Sequence, residues 1–347
     1  MQHSSRPFIS VADQYLPTAG KGTETGHRGR SNPDPRPSFT RDIQAHLSQL
    51  LKHSLAPTSY SQYHRAWKLF NEFHTQWKGV TPTLPVNGDT AAMFIAYLSS
   101  RSYAPSTVRS YISALGHINQ LKRGAGFSDN IICKKLLDGL DKSNPARKPR
   151  DPITLDILHK LIDSTSFILH DTYTICLYKA LFSSMFYMCT RVGEVANSHG
   201  NCNNILQLSD ISLRTPPKSS PYFVVSFSKF KHNKTSRVHS IPVKPSNPPY
   251  CPVTLLQNYL RMRGQSPGPL FRLKTGQPLH STQLSHTLHK SLRWAGLDHS
   301  TFGTHSFRIG RCSQLAKDGA SEPYIKFMGR WHSDAFLGYV RPSVFGT

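Results

Sequence analysis

From about residue 39 onward, apolar side chains recur at three- and four-residue steps, the spacing of one helical face. Tyr60, Tyr63, Trp67, Phe70, Phe73 and Trp77 draw an aromatic stripe along a helix that Thr58 or Ser59 is placed to cap. Asp89 suits the N-cap of a second helix that turns Met93, Phe94, Tyr97 and Leu98 inward. Ser106 suits that of a third, with Val108, Tyr111, Ile112, Leu115 and Ile118 inward. A fourth runs through Ile131, Ile132, Leu136, Leu137 and Leu140. Four short helices of this kind predict a compact bundle over residues 39–142.

The stretch 143–152, SNPARKPRDP, carries three prolines and basic residues but no apolar run, and so reads as an extended linker. Periodicity then resumes over 153–347. Thr154 caps a helix with Leu155, Leu158, Leu161 and Ile162, and a strongly apolar helix follows from about Asp171 to Met188. The β-rich YFVVSF (222–227) and RVHSIPV (237–243) answer each other across a polar, basic turn, which predicts a hairpin. Leu255, Leu256, Tyr259 and Leu260 mark a helix closed by Gly264. Ser281 caps another through Leu284, Leu288, Leu292 and Trp294, and Pro323 stands near the start of a last one. Residues 1–38, rich in Ser, Pro, Gly, Thr and basic residues, have almost no apolar periodicity and are expected to form a flexible tail.

Charge narrows the function. The 347 residues hold 42 Lys+Arg against 19 Asp+Glu, a formal net charge of +23. Such an excess points to a polyanion, because neutralising phosphates releases condensed counterions, and nucleic acid is the expected partner. Arg109, Lys122 and Arg123 decorate the bundle, Arg147, Lys148 and Arg150 line the linker, and Lys229 lies by the hairpin turn. These are the candidate backbone contacts. The six cysteines form no C-x-x-C pair, and the 18 histidines show neither zinc-finger nor H-E-x-x-H spacing. Reduced thiols and no metal site are expected. The most apolar region, 173–189, is broken by Lys179, Ser183 and Ser184, so no membrane span is expected, and the N-terminus lacks a signal-peptide core.

The candidate chemistry centres on GRWHSDAFLGYVRP (329–342), where Tyr339 is placed as a nucleophile. A tyrosine hydroxyl, with a pKa near 10, attacks a phosphodiester poorly while the phosphate stays fully charged. Arginine answers that need, since its planar fork holds two non-bridging oxygens at once. Arg191 in CTRVGEVA (189–196) and Arg308 in GTHSFRIGRC (303–312) are the candidates, with His305 three residues before Arg308. The lysine-rich SKFKHNKTSR (228–237) can protonate a leaving oxygen.

The order Arg191, lysine, His305-x-x-Arg308, Trp331, Tyr339 resembles the catalytic set of the tyrosine recombinases, or site-specific integrases. GTHSFRIG, MGRWHSDAF and GYVRP are similar, more narrowly, to the crypton and DIRS-like recombinases of eukaryotic mobile elements. The resemblance spans roughly 40–342. It implies a mainly α, two-domain DNA clamp, with a helical core-binding bundle before a catalytic domain that carries a small antiparallel β-hairpin or sheet. It implies Lys231 as general acid, with Lys234 as alternative, and Glu194 as the acid that steadies Arg191. Trp331 takes a position that is His or Trp in the family, although it stands only eight positions before Tyr339, one fewer than the family spacing, which keeps His332 as a rival. His305 either bonds a non-bridging oxygen or accepts the tyrosine proton.

The implied activity is cleavage and rejoining of double-stranded DNA through a 3′-phosphotyrosine, without cofactor, by a tetrameric synapse in the nucleus, integrating or excising a mobile element. Two alternatives stay open: a catalytically inactive, domesticated DNA-binding protein, and type IB topoisomerase-like relaxation of DNA.

Overall fold

The structure, a computed structural model, describes residues 36–122, 124–144, 148–198, 204–230 and 237–341. The chain divides into two compact units, Met1–Arg147 and Lys148–Thr347.

In the first unit the described helices are α1 (Arg36–His53), α2 (Pro57–Lys78), α3 (Gly88–Ser100), α4 (Pro105–Leu121) and α5 (Ile131–Ser143). The aromatic stripe of α2 does enter a core, where Phe70 meets Phe94 edge-on at 5.2 Å and Leu98, Ile112, Leu115 and Ile118 close around them. Helix α1 opens inside the stretch expected to be a tail, and its Phe39, Ile43, Leu47 and Leu50 are exposed. The helix starts differ from expectation. Pro105 opens α4, with Ala104 at its N-cap, and Pro57 opens α2, with Ala56 there. Asn87 rather than Asp89 caps α3, accepting the Thr90 amide at 2.9 Å. Met93 lies exposed on α3, and Ile131, Ile132 and Leu136 lie exposed because α5 turns Cys133, Leu137 and Leu140 to the core instead.

The second unit contains α6 (Leu155–Ile168), α7 (Thr172–Tyr187), the four-residue α8 (Val192–Val195), β1 (Ile211–Arg214), β2 (Tyr222–Phe227), β3 (His239–Val243), α9 (Pro252–Arg263), α10 (Ser281–Trp294), α11 (Ser306–Lys317) and α12 (Glu322–Gly329). Thr154 caps α6 and Gly264 closes α9, as their side chains and spacing predict. Helix α7 is apolar nearly all round because it is central, packed against α6, α9 and α11. The strands form one antiparallel sheet in the order β1-β2-β3. Phe223, Val225 and Phe227 face the core across from Val243, Ile241 and His239. Strand β1 was not anticipated, and Trp294, expected inward, is half-exposed and stacked on Phe167 at 4.9 Å. Among the described residues no helix is long and apolar enough to cross a membrane, and no cluster of His, Cys, Asp and Glu could hold a metal ion.

Two local features of the second unit position its buried and half-buried arginines. Cys189, just after α7, adopts a left-handed backbone (φ 51°), which turns the chain out of the core so that Arg191 emerges at the start of α8. Helix α11 lies against the backbone of Ile153, whose amide donates to the Ser306 carbonyl at 3.0 Å. A methyl group added at Gly310 would collide with the Ile153 carbonyl oxygen, so glycine there allows this close approach.

Candidate active site

Arg191 is partly exposed at the start of α8, and Glu194 holds it twice. The Arg191 amide donates to Glu194 Oε2 at 2.8 Å and its Nη1 to Oε1 at 3.2 Å. Glu194 is buried, and its Oε2 also accepts from Nη2 of Arg330 at 2.7 Å. Arg330 has no exposed side-chain surface. Its guanidinium lies 3.9 Å from the Phe227 ring centre and donates to the Met188 and Cys189 carbonyls, each at 3.2 Å. Burial, and then the neighbouring Arg308 and Arg191, push its pKa down to about 10 against the pull of Glu194, which leaves it charged at neutral pH.

Arg308, on the first turns of α11, is completely buried. Its Nη1 donates to the Cys189 carbonyl and its Nη2 to the Gly329 carbonyl at 2.9 Å, while its Nε has no hydrogen-bond partner among the described residues. The Trp331 ring covers the guanidinium, with 4.4 Å from Cζ to the ring centre, and the Tyr339 ring lies 5.6 Å away. Cys189 and Cys312 are thiols 3.7 Å apart beneath these groups. The Cys312 hydrogen bond, helped by Arg308, Arg330 and Arg311, draws Cys189 toward thiolate, and Cys312 stays protonated.

His305, at the start of α11, completes the cluster. Its Nε2 lies 2.7 Å from the Tyr339 hydroxyl oxygen, and the Trp331 and Tyr339 ring centres are 4.8 Å apart. His305 as a residue is exposed, yet the protein crowded around its ring pushes its pKa down to about 4, with the positive charges of Arg308, Arg191 and Arg150 adding to it. A neutral imidazole next to a tyrosine hydroxyl can accept its proton. The two residues are 34 positions apart in the chain, brought together by the turn after α12 and the 3-10 helix Asp334–Tyr339.

No protein-family model and no curated protein sequence matches the chain. Solved structures do. It is similar to the Tn1549 transposon integrase in complex with transposon right end DNA, with 14% identity and a TM-score of 0.56 over 85% of this chain and 93% of that one. It is similar also to the XerH site-specific recombinase bound to its palindromic difH substrate, with 14% identity and a TM-score of 0.59 over 87% and 80%. A third likeness is to a lambda integrase dimer bound to a COC′ core site, with 14% identity and a TM-score of 0.50 over 90% and 88%. The chain has the tyrosine-recombinase fold.

On that fold, His305, Arg308, Trp331 and Tyr339 form one cluster, and Arg191 with Glu194 adjoins it through Arg330 and the Cys189 carbonyl. Lys231 and Lys234 lie outside the described residues, as do Arg123 and Arg147. Lys229 is exposed just past β2, and His332 is exposed beside Trp331. Arg109 is engaged by carboxylates, with Nε donating to Asp141 at 3.1 Å and Nη2 3.4 Å from Asp138, a pairing its reading as a phosphate contact did not include. Lys122 closes α4 and Lys148 is exposed.

Arg150, read as a linker contact, donates to the Phe302 carbonyl and contributes to the field at His305. Arg330 was missed. It stands nine positions before Tyr339, the spacing at which the resemblance expects His or Trp, but its left-handed backbone (φ 57°) turns it inward and leaves Trp331 to cover Arg308. That spacing was the one available signal.

Proposed function

We propose that the chain cuts and rejoins DNA at specific sites with Tyr339 as nucleophile. The observation that carries this reading is the 2.7 Å contact between the Tyr339 hydroxyl and a His305 ring held neutral by its surroundings, on a fold shared with DNA-bound recombinases. The Tyr339 oxygen attacks the scissile phosphorus as its proton passes to Nε2 of His305. A tyrosyl–phosphorus bond forms and the bond from phosphorus to the 5′-oxygen breaks. That oxygen leaves as a hydroxyl, taking a proton from a hairpin lysine, Lys231 or Lys234. Bond energy stays in the 3′-phosphotyrosine, so a second 5′-hydroxyl reverses the step on a partner strand.

Arg191, with partly exposed donors, contacts a non-bridging oxygen directly. Arg308 supplies positive field from below, and Trp331 and Tyr339 must shift off its face before it can touch phosphate. The helical unit, Lys148, Arg150 and Lys229 provide backbone contacts, and four protomers pair two sites in the nucleus to move an element such as a crypton or DIRS-like one. The net charge of +23 makes binding steeply salt-dependent.

The test is a duplex selected from a random pool by binding to the full-length chain. It is nicked just 3′ of successive phosphates, so that the freed strand is lost and the adduct trapped. Wild type forms a covalent protein–DNA band and Tyr339→Phe binds DNA without one. A band in the mutant overturns the assignment. No band with wild type, with binding intact, favours a non-catalytic DNA-binding protein, and relaxation of any supercoiled circle by monomers favours a topoisomerase-like enzyme.

A further inference from the structure

We propose that Arg330 is a positioning residue for DNA cleavage, holding the Glu194 carboxylate and through it the Arg191 guanidinium; this rests on the reading of Tyr339 as nucleophile.

Arg330 cannot reach DNA, since its side chain has no exposed surface. What it can do is fix its neighbours. Four bonds hold it, to Glu194 Oε2 at 2.7 Å, to the Met188 and Cys189 carbonyls at 3.2 Å each, and to the Met328 carbonyl at 3.4 Å. The oxygen of Glu194 that receives Arg330 also receives the Arg191 amide, and the other oxygen receives the Arg191 side chain. The carboxylate is therefore oriented from one side by a rigid cation and presents its other side to Arg191.

This arrangement matters in two ways for a phosphate arriving at Arg191. A surface arginine without such a hold samples many rotamers, and fixing one during the reaction subtracts from transition-state stabilisation. Glu194 alone would also neutralise Arg191. With Arg330 present the trio of Arg191, Glu194 and Arg330 keeps one net positive charge, in a protein interior where charges interact strongly. The same anchor reaches the second arginine, because the Cys189 carbonyl accepts from both Arg330 and Arg308.

The experiment uses the full chain and the selected, nicked duplex, and reads the single-turnover rate of the covalent adduct. Arg330→Met should slow it about 10- to 100-fold, as loss of an outer partner of a site residue does elsewhere, with DNA affinity unchanged. Arg330→Lys should recover part of the rate. On a duplex whose scissile phosphate is a methylphosphonate, lacking one charged oxygen, the deficit of Arg330→Met should shrink, since Arg191 then has less charge to meet. Arg330→Met added to Glu194→Gln should slow the reaction no further than Glu194→Gln alone.

A folded Arg330→Met chain that cleaves at the wild-type rate overturns the proposal. So does a deficit that is the same on both phosphates, which marks a merely structural role. Thermal melting identifies the folded chains. If Arg330→Met melts early, Arg330→Met with Glu194→Gln, which buries no lone charge, is compared with Glu194→Gln on both duplexes. Absence of any adduct with wild type overturns the reading of Tyr339 instead, and is thereby distinguished.

Discussion

The Nε2 atom of His305 lies 2.7 Å from the Tyr339 hydroxyl, on a ring whose pKa is pushed down to about 4. A base that is already neutral at pH 7 needs no deprotonation before it works. In the free enzyme, kcat/KM for adduct formation should therefore stay level on acidification from neutral pH and fall only as His305 takes up its proton near pH 4. Bound phosphate counters the field of Arg308, Arg191 and Arg150, so the acid limb of kcat should sit at higher pH. A kcat/KM profile that falls with an apparent pKa near 6.5, the ordinary histidine value, would refute the assignment of His305 as a base under that field.

The same shift bears on stability. The folded-state pKa of His305 lies below that of the unfolded chain, so between about pH 4 and 6.5 the unfolded chain binds more protons. Stability therefore falls as pH is lowered through that window. Replacing His305 with Gln should flatten this fall, measured as melting temperature against pH for the two chains.

Glu194 and Arg330 make a buried ion pair at 2.7 Å, and breaking it from one side is costly. Glu194→Ala leaves Arg330 buried and charged without its carboxylate partner and should cost about 3–5 kcal/mol in urea unfolding, whereas Glu194→Gln with Arg330→Met should cost less because neither charge remains buried alone. An equal loss in both chains would mean that the pair is not what Glu194 contributes.

Much of the fold was legible because its signals are local. The caps at Thr154 and Gly264, the apolar run of α7 and the pairing of β2 with β3 each depend on residues close in sequence. Where two local signals compete, reading them fails. Asn87 and Asp89 both offer a side-chain oxygen near the start of α3, and only the backbone at Asn87 has the extended conformation of an N-cap. Strand β1 carries no alternation because three of its four residues are exposed on the sheet edge.

The candidate site was proposed from the sequence only by resemblance. No periodicity connects His305 with Tyr339, or Arg150 with the Phe302 carbonyl 152 positions away. Arg330 escaped because in a basic chain one more arginine beside Trp331 looks like a solvated or DNA-facing cation. Its inward direction is decided by a left-handed backbone that ordinary propensity does not announce.

Gly310 gives a test of how tightly α11 is seated. On propensity alone, Gly310→Ala should stabilise the helix by about 1 kcal/mol. The added methyl would instead meet the Ile153 carbonyl oxygen, a backbone atom that cannot swing aside. Overpacking of this kind costs about 1–3 kcal/mol, so the net change should be destabilising, and the shift of α11 should carry His305 and Arg308 out of place. A chain that melts higher and forms adduct normally would show that α11 has room here.

Trp331 and His332 compete for one role, and their surroundings differ. The indole of Trp331 lies between the Arg308 guanidinium, 4.4 Å from its ring centre, and the Tyr339 ring at 4.8 Å, whereas the His332 side chain is exposed. A cation held over a desolvated indole contributes about 2 kcal/mol, so Trp331→Ala should slow adduct formation roughly 30-fold if that contact orders the site. His332→Ala should leave the rate near that of wild type. The cover also implies movement: because Arg308 has no exposed surface, a phosphate can reach it only after the indole slides off its face. DNA binding should then change the part of the intrinsic fluorescence that is present in wild type and absent from Trp331→Phe. If that component stays constant while adduct accumulates, Arg308 acts on the phosphate through space without being uncovered.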